Sequence, residues 1–254
     1  MLCRAFDQGD ENSLPRAYHN GWLSICAVMA PDSAVCRGEL YQSAFAASGV
    51  PIYDFALYPD GEPLSDYDNC MRIGAELGLC AENTDPMALV TRGEAADVLY
   101  AVLTHDLAVE APPMLESLPI RNTEGVPLND YLVALSQVPE ALLQKFKSEG
   151  WTYNIDFSYL SDLSREYHAS CIGATSYTEK TIYVSEAGST LHEFGHFLYY
   201  ILGCPDEVEQ LYADEADAAA AFLRDYAMTN HRSISRIILS IFLDVRKIQR
   251  RWKR

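Results

Sequence analysis

The sequence predicts an α+β fold, mostly helical, in two parts: an all-α region over residues 1–110 and a second domain over residues 114–254. Three observations lead there. A helical segment recurs within the first part at one fixed offset. Two short stretches of strand character, "WTYNIDF" and "KTIYVSE", stand among helical stretches of the second part. A helix with two histidines four residues apart follows them. Single strands set among several helices suit an α+β domain.

The repeat comes first. "PDSAVCRGELYQSAF" (Pro31–Phe45) aligns with "PMALVTRGEAADVLY" (Pro86–Tyr100) at an offset of 55 residues. The proline, Val35/Val90, Arg37/Arg92, Gly38/Gly93 and Glu39/Glu94 are identical, and Phe45/Tyr100 are both aromatic. A fixed offset of this size is the mark of a duplicated supersecondary unit. In each copy a proline-containing loop leads into a helix opening at Cys36 or Thr91. Thr91 is expected to cap its helix, with Glu94 completing a capping box. "DYDNCMRIGAELGLC" reads as another helix, ending at Gly78. One unit is therefore a helix, a loop, and a helix that opens on Arg-Gly-Glu.

These units resemble the S-layer homology repeat, best in "YDNCMRIGAELGLCAENTDPMALVTRGEAADVLYAVL", with Cys36 standing where that repeat carries threonine. In that family three repeats bind cell-wall polysaccharide and anchor exported proteins. About one and a half to two repeats are visible here, so the set is expected to be incomplete, with cell-wall polysaccharide as the partner that the resemblance implies.

"VEAPPMLESLP" (Val109–Pro119) reads as the boundary between the parts. "LNDYLVALSQV" and "PEALLQKFKSEG" follow as helices; the second has Pro139 at its start and Gly150 at its end. "WTYNIDF" and "KTIYVSE" alternate apolar and polar residues as strands do.

"STLHEFGHFLYY" (Ser189–Tyr200) carries the chemistry. Positions four apart share one face of a helix, so His192 and His196 can address one ion. Glu193 stands beside His192. His-Glu-x-x-His on a helix is the pattern in which two imidazoles hold zinc and the glutamate acts as general base. The plainer reading is an amphipathic helix with two surface histidines. Leu191, Phe194, Phe197 and Leu198 argue against it, since so apolar a helix is expected to bury the histidines in part. Gly195 costs ~1 kcal/mol relative to alanine inside a helix, and would let another element approach closely. A third ligand is expected in "LYADEADAAAAFLRDYAMTN". Glu215 and Asp217 are about 200° apart on a helix. Glu215 shares its face with Ala218, Ala219, Phe222 and Tyr226, whereas Asp217 shares one with Ala221 and Arg224. Periodicity favours Glu215 and leaves Asp217 open.

From Leu128 to Tyr226 the chain resembles the catalytic domain of the anthrax lethal factor family, which includes secreted Pro-Pro endopeptidases. The resemblance lies in "ALSQVPEALLQKFKSEGWTYNIDF", "IGATSYTEKTIYVSEAGSTLHEFGHFL" and the acidic helix after them. It implies a zincin-like domain with a two-helix zinc site: ligands His192 and His196, a third glutamate ligand, and Glu193 as base. It also implies a tyrosine that stabilises the oxyanion, for which Tyr212 is the nearest residue. The implied activity is zinc-dependent hydrolysis of a protein or peptide substrate. Both resemblances imply a protein secreted by, or displayed on, a bacterium. The alternative is a wall-binding or interaction protein that keeps the peptidase fold without its turnover.

Composition narrows the field. The formal net charge is −17, and such a chain repels nucleic acid. Residues 1–110 carry 17 acidic and 5 basic side chains, while Arg232–Arg254 carries eight basic and one acidic, expected to form a solvated helix face. No apolar run reaches the ~20 residues of a membrane span, "IILSIFL" included, and "MLCRAFDQGDENS" lacks the apolar core of a signal peptide. The seven cysteines include no Cys-x-x-Cys pair, which argues against a cysteine zinc site; most are expected to be buried thiols.

Overall fold

The computed structural model of the chain describes residues 13–54 and 64–203. About half of these are helical, somewhat less than expected, and a small mixed sheet supplies the β part. The chain divides into two compact units, Met1–Ala111 and Pro112–Arg254. Among the described residues no helix is long and apolar enough to cross a membrane.

The described elements of the first unit are five helices: α1 (Ser13–His19), α2 (Ile25–Met29), α3 (Arg37–Ser48), α4 (Asp66–Glu76) and α5 (Arg92–Thr104). The two sequence copies meet where their long helices begin. Cys36 and Leu89 form an antiparallel bridge, and Val90 N–H donates to Val35 O at 2.9 Å. The capping box at α5 is present: Glu94 N–H donates to Thr91 Oγ1 at 3.2 Å, and Thr91 N–H to Glu94 Oε2 at 2.8 Å. The other oxygen of Glu94 accepts from Arg37 of the first copy at 2.5 Å. One carboxylate thus closes a helix end and ties the copies together. Cys36, lacking a hydroxyl, caps α3 without a side-chain bond. Phe45, Ala44, Cys70 and Ile73 form the fully buried centre of this unit. Of the cysteines described, only Cys70 is buried, because it alone lies on the inward face of a helix; Cys26 is exposed, and Cys36, Cys80 and Cys171 are half-buried.

In the second unit α6 (Pro113–Glu116) precedes β1 (Ile120–Asn122), α7 (Asn129–Ser136), α8 (Glu140–Ser148), β2 (Thr152–Ile155), α9 (Phe157–Tyr167), β3 (Gly173–Ser176), β4 (Thr181–Val184), a 3-10 turn (Ala187–Ser189) and α10 (Thr190–Ile201). The sheet order is β1-β2-β4-β3, with β1, β2 and β4 parallel and β3 antiparallel to β4. The sequence led to β2 and β4 but not to β1 or β3. β1 has three residues, and β3 reads "GATS", with no large apolar side chain to mark it. β2 does not alternate in burial: Tyr153, Asn154 and Ile155 are all buried, as befits a central parallel strand covered on both faces. It is also shorter than expected, because Asp156 accepts from Tyr159 N–H at 2.9 Å and starts α9.

An aromatic cluster sets the position of α10. Phe146 of α8 packs on Phe194 and Phe197 at centroid distances of 5.0 and 5.2 Å, and Trp151 packs on Phe197 at 5.0 Å. All four side chains are fully buried. Such pairs contribute about 0.5–1.5 kcal/mol each beyond the area they bury.

Candidate metal centre

Two anchors fix the rotation of α10. Phe194 and Phe197 hold one face in the aromatic cluster. At the first residue of the helix, Thr190 Oγ1 and Tyr153 OH on β2 lie 2.6 Å apart in a buried hydrogen bond. With that face turned inward, the flank carrying His192, Glu193 and His196 meets the sheet margin at β3.

The two imidazole rings lie 5.6 Å apart, nearly perpendicular at 86°. The ligand atoms of His192, Glu193 and His196 all lie within 4.8 Å of one another. His192 Nε2 stands 3.7 Å from Glu193 Oε1. Burial is graded across the group: Glu193 is 2% exposed and His196 8%, while the His192 side chain is 36% exposed. The histidines are thus partly buried, as the apolar character of the helix led one to expect.

The chain from Gly173 to Tyr177 supplies what sequence reasoning missed. Alternate residues of a strand share a face, and each alternate residue here addresses the motif. A Cβ added at Gly173 would stand 2.6 Å from Glu193 Oε1, so glycine leaves the space that the carboxylate fills. Thr175 Oγ1 donates to Glu193 Oε2 at 2.7 Å. Just past the strand, Tyr177 OH lies 3.4 Å from His196 Nδ1. Its ring is held by stacking on Tyr200, with centroids 5.3 Å apart, and by an edge contact with Trp151 at 6.2 Å. A polar partner on one ring nitrogen orients a metal-ligating histidine and leaves the other nitrogen for the ion. The only sequence signal was the alternation Gly173, Thr175, Tyr177, which carries no apolar period.

Two imidazoles that can address one point are donors that a metal ion accepts, and the buried Glu193 carboxylate beside them places negative charge where a cation would sit. The group therefore fits a metal ion. Glu215, Asp217 and Tyr212 lie outside the described residues.

The first unit holds a separate cleft of about 420 Å³, lined by Arg37, Tyr41, Cys80, Asp85, Glu94 and Asp97 among others. The Thr91 backbone N–H, followed by the Arg37 guanidinium, holds the Glu94 carboxyl down at about 2. Burial pushes the Tyr41 hydroxyl up.

Compared with known proteins, the chain matches no protein-family model, no curated protein and no solved structure.

Proposed function

We propose that this chain is a zinc-dependent endopeptidase of the lethal factor type. The observation that carries the reading is the meeting of His192, Glu193 and His196 on one flank of a helix, with the carboxylate buried and hydrogen-bonded at the margin of a sheet. His192 and His196 would hold the ion. Glu215 is the third ligand we favour, on the helical phase of its segment, with Asp217 as the alternative. When bound, zinc supplies a Lewis acid for the scissile carbonyl and makes a water more acidic.

The rest falls to side chains. Glu193 takes a proton from the attacking water and gives it to the departing amide nitrogen as the C–N bond breaks. Tyr212 is the proposed donor to the oxyanion. Among the described residues β3 pairs only with β4, so its other edge can receive an extended peptide through main-chain hydrogen bonds. That would bring a substrate strand alongside Thr175 and Glu193. On the sequence likeness, the first unit is an incomplete set of the repeats that bind cell-wall polysaccharide in that family and is expected not to bind wall polymer strongly by itself, and the protein works outside a bacterial cell or on its surface.

Metal analysis of the purified chain tests the centre itself. One equivalent of zinc per chain is expected, lost in His192→Ala and in His196→Ala. Stoichiometric zinc in either variant would contradict the assignment.

A further inference from the structure

Thr175 Oγ1 has one proton to give and two acceptors nearby. Glu193 Oε2 is at 2.7 Å and Glu193 main-chain O at 3.4 Å. The shorter contact has the better distance for a hydroxyl and reaches the stronger acceptor, a carboxylate. The hydroxyl is well fixed for this role. Thr175 lies opposite Ile182 in the β3–β4 ladder, and its branched Cβ restricts rotation about χ1. Glu193, by contrast, ends in a torsion with a broad and roughly two-fold preference. Nothing intrinsic to glutamate decides which way its carboxylate plane turns.

We infer that Thr175 is a positioning residue for Glu193, an inference that rests on the peptidase reading above. Its hydroxyl holds Oε2 and so fixes the plane of the carboxylate. Oε1 then stands 3.7 Å from His192 Nε2, in the space that Gly173 keeps open. With its plane fixed in this way, Glu193 exchanges protons with water and with the leaving nitrogen while Oε2 stays bound to threonine. The same hydroxyl supplies a hydrogen bond that the carboxylate needs at 2% exposure.

The test compares Thr175→Val, which keeps the shape and removes the hydroxyl, with Thr175→Ser, which keeps the hydroxyl. Thr175→Val is expected to bind one zinc, to keep KM within about twofold, and to lose about tenfold to a hundredfold in kcat, the range for groups that orient a metal site. Thr175→Ser should recover most of that loss. Wild-type kcat in Thr175→Val, or an equal loss in Thr175→Ser, would overturn the inference. A second readout does not depend on turnover. With cobalt in place of zinc, the visible spectrum should shift in Thr175→Val and stay as wild type in Thr175→Ser; a wild-type spectrum in Thr175→Val overturns the inference. Zinc-loaded wild type that cleaves no peptide would instead overturn the peptidase reading, and the cobalt spectra would still decide whether Thr175 sets Glu193.

Discussion

Gly173 and Glu193 stand so close that the carboxylate fills the place of a side chain on the glycine: a Cβ there would lie 2.6 Å from Oε1 and 3.0 Å from Cδ. Glu193 and the strand beside it are fitted to each other across 20 residues of sequence.

Gly173→Ala is therefore expected to displace Glu193. Overpacking of this kind typically costs about 1–3 kcal/mol, and kcat should fall at least tenfold because the moved group is the proposed base. Gly188→Ala is the control, since nothing lies within 4 Å of a Cβ at that position. Thermal melting and peptide hydrolysis on both variants check this. Equal behaviour of the two would show that Glu193 has room to move.

Tyr177→Phe should weaken zinc binding by about tenfold to a hundredfold, as loss of an orienting hydrogen bond on a ligand does. The ring stays stacked on Tyr200, so the melting temperature of the chelated protein should hardly change. Competition with a chromophoric chelator measures the affinity. Unchanged affinity would make Tyr177 a packing residue only.

How much of this was legible in the sequence follows the range of each interaction. The capping box at Thr91 and Glu94 was legible because its partners are three residues apart, and the His192/His196 pair because four residues make one helical turn. The twin loops ahead of α3 and α5 were legible as a repeat, though not as surfaces that pair with each other. Gly173, Thr175 and Tyr177 were not legible, since their meaning comes from a strand pairing that no local pattern announces. "WTYNIDF" suggested a strand with one wet face. Asn154 is instead buried, because the sheet is covered on both sides there, and that depends on helices distant in sequence.

Glu94, held first by the Thr91 backbone N–H and then by the Arg37 guanidinium, gives the first unit a definite acid dependence. Glu94 is held at about 2 in the folded chain, below the ~4.3 of an unperturbed glutamate. Its contribution is therefore fully present above about pH 4.3 and is lost as pH falls through about 2. Denaturant midpoints of wild type and Glu94→Gln should differ most near pH 6, and the gap should close toward pH 2. A gap that stays constant across that range would contradict the shift.

For the proposed third ligand, the apolar period of the sequence favours Glu215 over Asp217. Glu215→Ala should lower zinc affinity by orders of magnitude, while Asp217→Ala should stay within about tenfold to a hundredfold of wild type. Equilibrium dialysis against zinc distinguishes them, and the reverse order would assign the ligand to Asp217.

The central claim is hydrolysis of peptide bonds at a metal held by His192 and His196. The most direct measurement is digestion of a peptide library by the zinc-loaded full chain, read by mass spectrometry, with chelated wild type and zinc-loaded Glu193→Gln alongside. The account predicts new peptide termini with wild type, none after chelation, recovery on adding zinc back, and none with Glu193→Gln although that variant still carries one zinc. Cleavage that survives chelation, or full activity in zinc-loaded Glu193→Gln, would contradict it, as would a zinc-loaded wild type that leaves every peptide in the library intact.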